Sequence, residues 1–163
     1  MHWLWPRRRG LTATVWIDAR LLPEMEADAA EHAPDESGGM LIGYWSENGD
    51  AVITNVVAGG PSAIRRPNRF VPDGRWQQKR LEEIYNRSGR RHTYLGDWHS
   101  HPAGALRPSR RDRATARKIA RAIEARAPQP LTLITVEDEH RWRWRVFRYR
   151  SRRNFKQLTV TRF

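Results

Sequence analysis

The stretch Asp97-Trp98-His99-Ser100-His101-Pro102, continued by Arg107-Pro108-Ser109-Arg110-Arg111-Asp112, decides how this chain is read. Its first half belongs to a strand expected over Thr93–His101, which Pro102 to Pro108 cannot prolong as regular structure. Ser109 then stands where a helix N-cap belongs, opening an Ala- and Arg-rich helix expected to run to Ala127. On a strand, His99 and His101 point to one face, about 6.7 Å apart along the chain. Asp112, in the first turn of the next helix, can return a carboxylate to them. Two imidazoles and a carboxylate can converge on one metal ion and leave a position open for water, which is the catalytic rather than the structural zinc pattern. The pair H-x-H alone is more often two satisfied or exposed histidines, so the pattern needs support from the rest of the chain.

Working outward, Leu11 to Ile17 reads as a first strand and Leu21 to His32 as a helix, with Pro23 tolerable in its first turn. Met40–Tyr44 and Ala51–Val57 are Ile-, Leu- and Val-rich strands around a turn at Glu47-Asn48-Gly49-Asp50. Gly59 to Asp73, with three Pro and several Arg, reads as a loop. Trp76 to Tyr85 sets Leu81, Ile84 and Tyr85 on one side of a short helix. In the helix after Ser109, Ile119 and Ile123 are four apart and predict an inner stripe. Leu131–Val136 and Trp142–Phe147 form a second hairpin, turning near Asp138-Glu139. The order β, α, ββ, α, β, α, ββ implies an α/β domain with a mixed β-sheet flanked by helices. A length of 163 residues fits one domain over 1–163, with a core at about 12–147 and a basic C-terminal extension at 148–163.

Composition narrows the chemistry. There is no cysteine, which excludes a disulfide scaffold, an iron–sulfur protein, a thiolate zinc finger and a Cys nucleophile together. Any zinc must sit on His and carboxylate. A mean hydropathy of −0.81, with no apolar run near the ~18 residues of a membrane span, predicts a soluble, cytoplasmic protein with no membrane partner. Arg7-Arg8-Arg9 before the apolar Leu11–Ile17 is superficially like a twin-arginine leader, but the apolar part ends at Asp18 and no small-residue cleavage site follows, so the strand reading is preferred.

The spacing H-x-H, seven residues, Ser, two residues, Asp is met at every position by His99, His101, Ser109 and Asp112, and Pro102 follows the second His. It resembles the signature of the JAMM, or JAB/MPN, metalloprotease family. Glu36-Ser37-Gly38-Gly39-Met40-Leu41-Ile42-Gly43 resembles that family's upstream Glu before a glycine-rich strand. The resemblance spans roughly residues 12 to 147 and implies a JAB/MPN-like fold, in agreement with the periodicity. It implies His99, His101 and Asp112 as ligands of one catalytic Zn2+, Glu36 as the general base, and Ser109 as the donor that stabilises the tetrahedral oxyanion. It implies peptide or isopeptide hydrolysis after the tail of a ubiquitin-like modifier, which no composition could show. Tyr94 to Pro102, Phe70-Val71-Pro72-Asp73 and the helix at Trp76 look most like compact bacterial JAB proteins encoded with E1- and E2-like enzymes, including those of antiphage defence systems. These are the expected partners, and no substrate-binding residue is identified.

Local readings stay open beside these roles. Ser109 and Asp112 can form a capping arrangement, Glu36 can be a solvated loop carboxylate, and Ser100, on the other strand face, reads as structural. Asp97 can support the ligands or pair with an Arg, and His2, His32, His92 and His140 match no ligand position. A sulfur-carrier processing protease is the near alternative. A nucleic-acid-binding module is the distant one, prompted by a net charge of +12, with only three of thirty cations being Lys, and by Arg141 to Arg153, where Arg interleaves with Trp142, Trp144, Phe147 and Tyr149. That alternation also suits a half-buried strand with Trp inward and Arg outward, the favoured reading.

Overall fold

The computed structural model describes residues 14–163. The twin-arginine stretch, His2 and the start of the first expected strand lie outside them. The elements follow as β1 (Thr14–Ile17), α1 (Leu21–His32), β2 (Gly38–Trp45), β3 (Ala51–Val57), β4 (Ile64–Arg66), β5 (Arg69–Val71), α2 (Gly74–Arg87), β6 (Thr93–Ser100), α3 (Arg110–Arg121), a 3₁₀ turn at Ile123–Ala125, β7 (Leu131–Asp138), β8 (Arg141–Ser151) and β9 (Asn154–Arg162). Seven strands close a mixed barrel in the order β1-β3-β2-β6-β7-β8-β9, because β1 pairs in parallel with β3 on one side and β9 on the other. β6 and β7 are also parallel, and the remaining neighbours are antiparallel.

Alternation explains the core. Leu131 and Leu133 of β7 point inward with Val15, Ile17, Leu41, Ile53, Trp98 and Val146. Burying each of these aliphatic side chains contributes about 1.5–3 kcal/mol. β7 is buried at six successive positions, as a strand covered on both faces must be, since α3 packs over its outer side. α1 buries Leu21, Leu22, Met25 and Ala29, one helical stripe, against β2 and β3.

The mixed α/β architecture is as expected, and several elements differ. The loop expected at Gly59–Asp73 contains a hairpin, β4 with β5, whose Arg-rich three-residue strands bury no residue fully and are too short to show an apolar alternation. The segment 148–163, expected as an extension beyond the core, instead completes β8 and supplies β9; Tyr149 and Leu158 are buried and β9 closes the barrel. α3 stops at Arg121 rather than reaching Ala127. Ala122 leaves helical dihedrals, and the turn after it puts Ile123 outside at 87% exposure, so the expected inner stripe ends at Ile119. No helix among the described residues is long and apolar enough to cross a membrane.

The Gly38-Gly39 pair lets β2 lie close against the strand that carries His99. A Cβ on Gly39 would meet the Val57 carbonyl oxygen at 1.9 Å and Trp98 Nε1 at 2.8 Å, and one on Gly38 would meet the Trp98 carbonyl oxygen at 2.5 Å. Packing, rather than a left-handed backbone, demands glycine here.

Candidate active site

β6 delivers His99 from its last turn of pleat, and His101 follows one residue past the strand, still held to β7 by its N–H donating to the Thr135 carbonyl at 2.9 Å. α3 begins immediately afterwards. Ser109 is its N-cap: its hydroxyl accepts from the Asp112 N–H at 3.2 Å while the Asp112 carboxylate accepts from the Ser109 N–H at 2.5 Å. This capping box aims Asp112 at the imidazoles, with Oδ1 3.1 Å from His99 Nε2 and Oδ2 3.4 Å from His101 Nε2. One ligand atom from each of His99, His101 and Asp112 lies within 4.8 Å of the others.

The donor chemistry fits a metal ion. His101 Nδ1 is 2.9 Å from the Ala105 carbonyl oxygen, which places the ring proton on Nδ1 and leaves the Nε2 lone pair facing the site. His99 Nε2 is buried and makes no well-directed hydrogen bond although Asp112 lies beside it. A buried ring nitrogen so placed, next to a second imidazole and a carboxylate, is what a divalent cation would satisfy.

The same contacts set the electrostatics of the metal-free site. Burial acts to raise the Asp112 carboxyl, but the His101 and His99 imidazoles beside it and its bond within the Ser109 cap outweigh that and hold the group well below the usual carboxylate range. Burial acts to lower His101, and the Asp112 carboxylate and Ala105 carbonyl together push it up. Glu36 sits in the segment between α1 and β2, where burial raises its carboxyl against the opposing pull of His99 and His101. A cleft of about 340 Å³ opens here, lined by Glu36, Pro67, Asn68, His101, Gly104 and Ser109 among others. Of the five residues expected from the sequence, Glu36, His101 and Ser109 line this cleft, and His99 and Asp112 lie against His101.

Residues 18–147 match the family model described as prokaryotic homologs of the JAB domain. The chain belongs to that family. This JAB domain is 41% identical over 129 residues to a "Probable metalloprotease y4qB" of Sinorhizobium fredii, covering 78% of this chain and 79% of that protein. It is 36% identical over 87 residues to a "CD-NTase/cGAS isopeptidase" of Vibrio cholerae, covering 53% and 55% of the two chains. The solution structure of protein DSY2949 from Desulfitobacterium hafniense shares the fold at a TM-score of 0.71 and 22% identity, covering 91% of this JAB domain and 92% of that chain.

Other residues fall into place around the JAB domain's site. Ser100 is buried and bonds Ser37, as its structural reading expected. Asp97 takes the Tyr94 phenol rather than an Arg as its partner, and burial pushes its carboxyl up to about 6. His92 bonds Thr54 at 3.1 Å and His32 bonds the Asp28 carbonyl at 2.8 Å, away from the ligands. Three contributors escaped the sequence reading. Ala105 orients His101 through a carbonyl, the Arg66 carbonyl accepts from the Glu36 N–H at 2.9 Å, and Arg111 donates to the Asn68 carbonyl at 2.6 Å, tying α3 to the hairpin turn. Backbone acceptors have no residue signature, so nothing in the sequence could have singled them out.

Proposed function

We propose that this JAB domain is a zinc metalloprotease of the isopeptidase type, acting in the bacterial cytoplasm on the bond that follows the C-terminal tail of a ubiquitin-like modifier. The convergence of His99, His101 and Asp112 on one point beside Glu36 is the observation that carries the reading. His99 Nε2, His101 Nε2 and the Asp112 carboxylate would hold the ion, which when bound supplies Lewis acidity toward the scissile carbonyl and toward water. Glu36 accepts the proton of the attacking water on its carboxylate, and the same carboxyl returns it to the leaving amine. Its burial suits both tasks, because a raised carboxyl holds a proton better than an exposed one. The Ser109 hydroxyl only accepts in its capping bond, so its own proton is available to donate to the oxyanion.

The wall at Ala103-Gly104-Ala105 carries little side-chain bulk and suits a slender, glycine-ended tail. Removal of a modifier from a Lys side chain, within a system that has E1- and E2-like enzymes, is the reading preferred over processing of a sulfur carrier with a similar tail. Relatives named isopeptidases of CD-NTase/cGAS support it and suggest an antiphage setting. A nucleic-acid role finds less support, since Trp144 packs against the core and Trp142 is half-buried, which takes ring surface away from base stacking. The catalytic unit is a single domain. The test is incubation of the zinc-loaded protein with a ubiquitin-like protein fused through its diglycine tail to a second protein. Cleavage after the terminal glycine is expected, and an intact fusion would overturn the proposal.

A further inference from the structure

Three side chains link α1 to the middle of the site. Ser37 is fully buried and Ser100 is 2% exposed. The Ser37 N–H donates to Ser100 Oγ at 2.9 Å, and the Ser100 N–H donates to the Ser37 carbonyl at 2.8 Å. On its other side the Ser37 hydroxyl donates to Asp28 Oδ2, which projects from the inner edge of α1. Ser37 directly follows Glu36, and Ser100 lies between His99 and His101. Residues 33–37 belong to no helix or strand, and the remaining tether of Glu36 is its N–H on the Arg66 carbonyl.

We infer that Asp28, Ser37 and Ser100 are positioning residues that set where Glu36 stands relative to the two histidines. The inference rests on the reading of Glu36 as the proton acceptor. Buried hydroxyls contribute little net stability over a well-packed apolar substitute, because their hydrogen bonds replace equally good ones to water. What they add is direction. A hydroxyl that must face Asp28 while its own N–H faces Ser100 allows the chain one path past the ligands, and a displacement of about 1 Å at a reacting group can cost on the order of 10²-fold in rate. The reciprocal Ser37–Ser100 pair also fixes the path from the ligand side, since Ser100 cannot shift without moving His99 and His101 with it.

The test compares wild type with Asp28→Ala, Asp28→Asn and Ser100→Ala, all in the full chain. Asp28 is partly exposed, so its variants should fold even if Ser100→Ala does not. Asn keeps an oxygen that can accept from Ser37, whereas Ala does not. The first readout needs no activity: amide hydrogen exchange at Glu36, whose N–H bonds the hairpin and not the trio, should quicken about 10-fold or more in Asp28→Ala, with β6 and β7 protection unchanged. Asp28→Asn should restore it. The second readout is turnover of a diglycine-ended tail peptide amide-linked to a fluorophore, where Asp28→Ala should lower kcat about 10-fold or more with KM and zinc content near wild type. Unchanged exchange at Glu36 in Asp28→Ala would overturn the positioning role whatever the activity. Quickened exchange with an unaltered kcat in an active enzyme would overturn its link to catalysis. A zinc-loaded wild type that cleaves nothing would instead strike the reading of Glu36, while the exchange result still decides whether the trio holds the segment.

Discussion

β6 and β8 both alternate polar and apolar residues, and their register places His99 of β6, Ile134 of β7 and Arg145 of β8 in one row across the sheet. On β6 the polar residues meet a carboxylate, because the loop and α3 return Asp112 to them. On β8, Arg141, Arg143 and Arg145 face solvent while Trp142 and Trp144 turn in. The acid paired with that stripe among the described residues is Asp138, 3.3 Å from Arg143, and both side chains are more than half exposed. Such a pair contributes roughly 0–1 kcal/mol. The same period of two thus makes a reactive centre on one strand and a solvated face on the other. The difference lies in what the following element brings back.

Breaking the β6 side should have the largest effects. His101→Ala should strip the metal and reduce cleavage to background, measured by metal analysis and turnover together. Glu36→Gln should keep the metal and lower kcat by about 10²–10⁴-fold, the usual worth of a positioned base. Ser109→Ala should lower kcat by about 10²-fold and cost about 1 kcal/mol of stability, since it loses both an oxyanion donor and a helix cap. On the β8 side the contrast sharpens. Trp144→Ala should destabilise by about 2 kcal/mol or more, whereas Arg143→Ser should stay within about 0.5 kcal/mol, as denaturant midpoints would show.

The smallest expected effect concerns pH. Burial raises the Glu36 carboxyl, so the folded metal-free protein holds that proton more tightly than the unfolded chain. Stability is then lost as pH rises from the ordinary glutamate value through the raised one. Glu36→Gln should flatten that part of the profile, which melting temperatures of the two metal-free proteins between about pH 4 and about pH 7 would reveal. Parallel profiles would show that Glu36 pays no desolvation cost.

Much of this contrast was legible in residues alone. The helix at Leu21–His32 follows from its helix-favouring composition and the strand at Ala51–Val57 from its apolar, β-branched content after a turn signal, and both match to the residue. The convergence of His99, His101 and Asp112 was legible in their spacing between a strand end and a helix cap, and their role as candidate ligands in the resemblance of that spacing to the JAMM signature. β4 and β5 were not legible because their three-residue, Arg-rich strands are too short to show an alternation, and β9 was missed because its short Leu158-Thr159-Val160 alternation sits among basic residues and its pairing with β1 joins the two ends of the chain. Ile123 was misplaced because spacing by four assumes that the helix continues, and Ala122 ends it. The tethers of the Glu36 segment were hidden for a different reason: two of them use carbonyl oxygens, one depends on a serine 63 residues away, and one runs to Asp28, whose spacing from Ser37 carries no motif.

The central claim is that His99, His101 and Asp112 together hold one zinc ion that cleavage requires. Metal content of the purified, zinc-equilibrated protein, measured beside Asp112→Asn of equal secondary structure, tests it most directly. Close to one zinc per wild-type chain and close to none in the variant is the expected result. A folded wild type that takes up no zinc, or a variant that keeps it, would contradict the account.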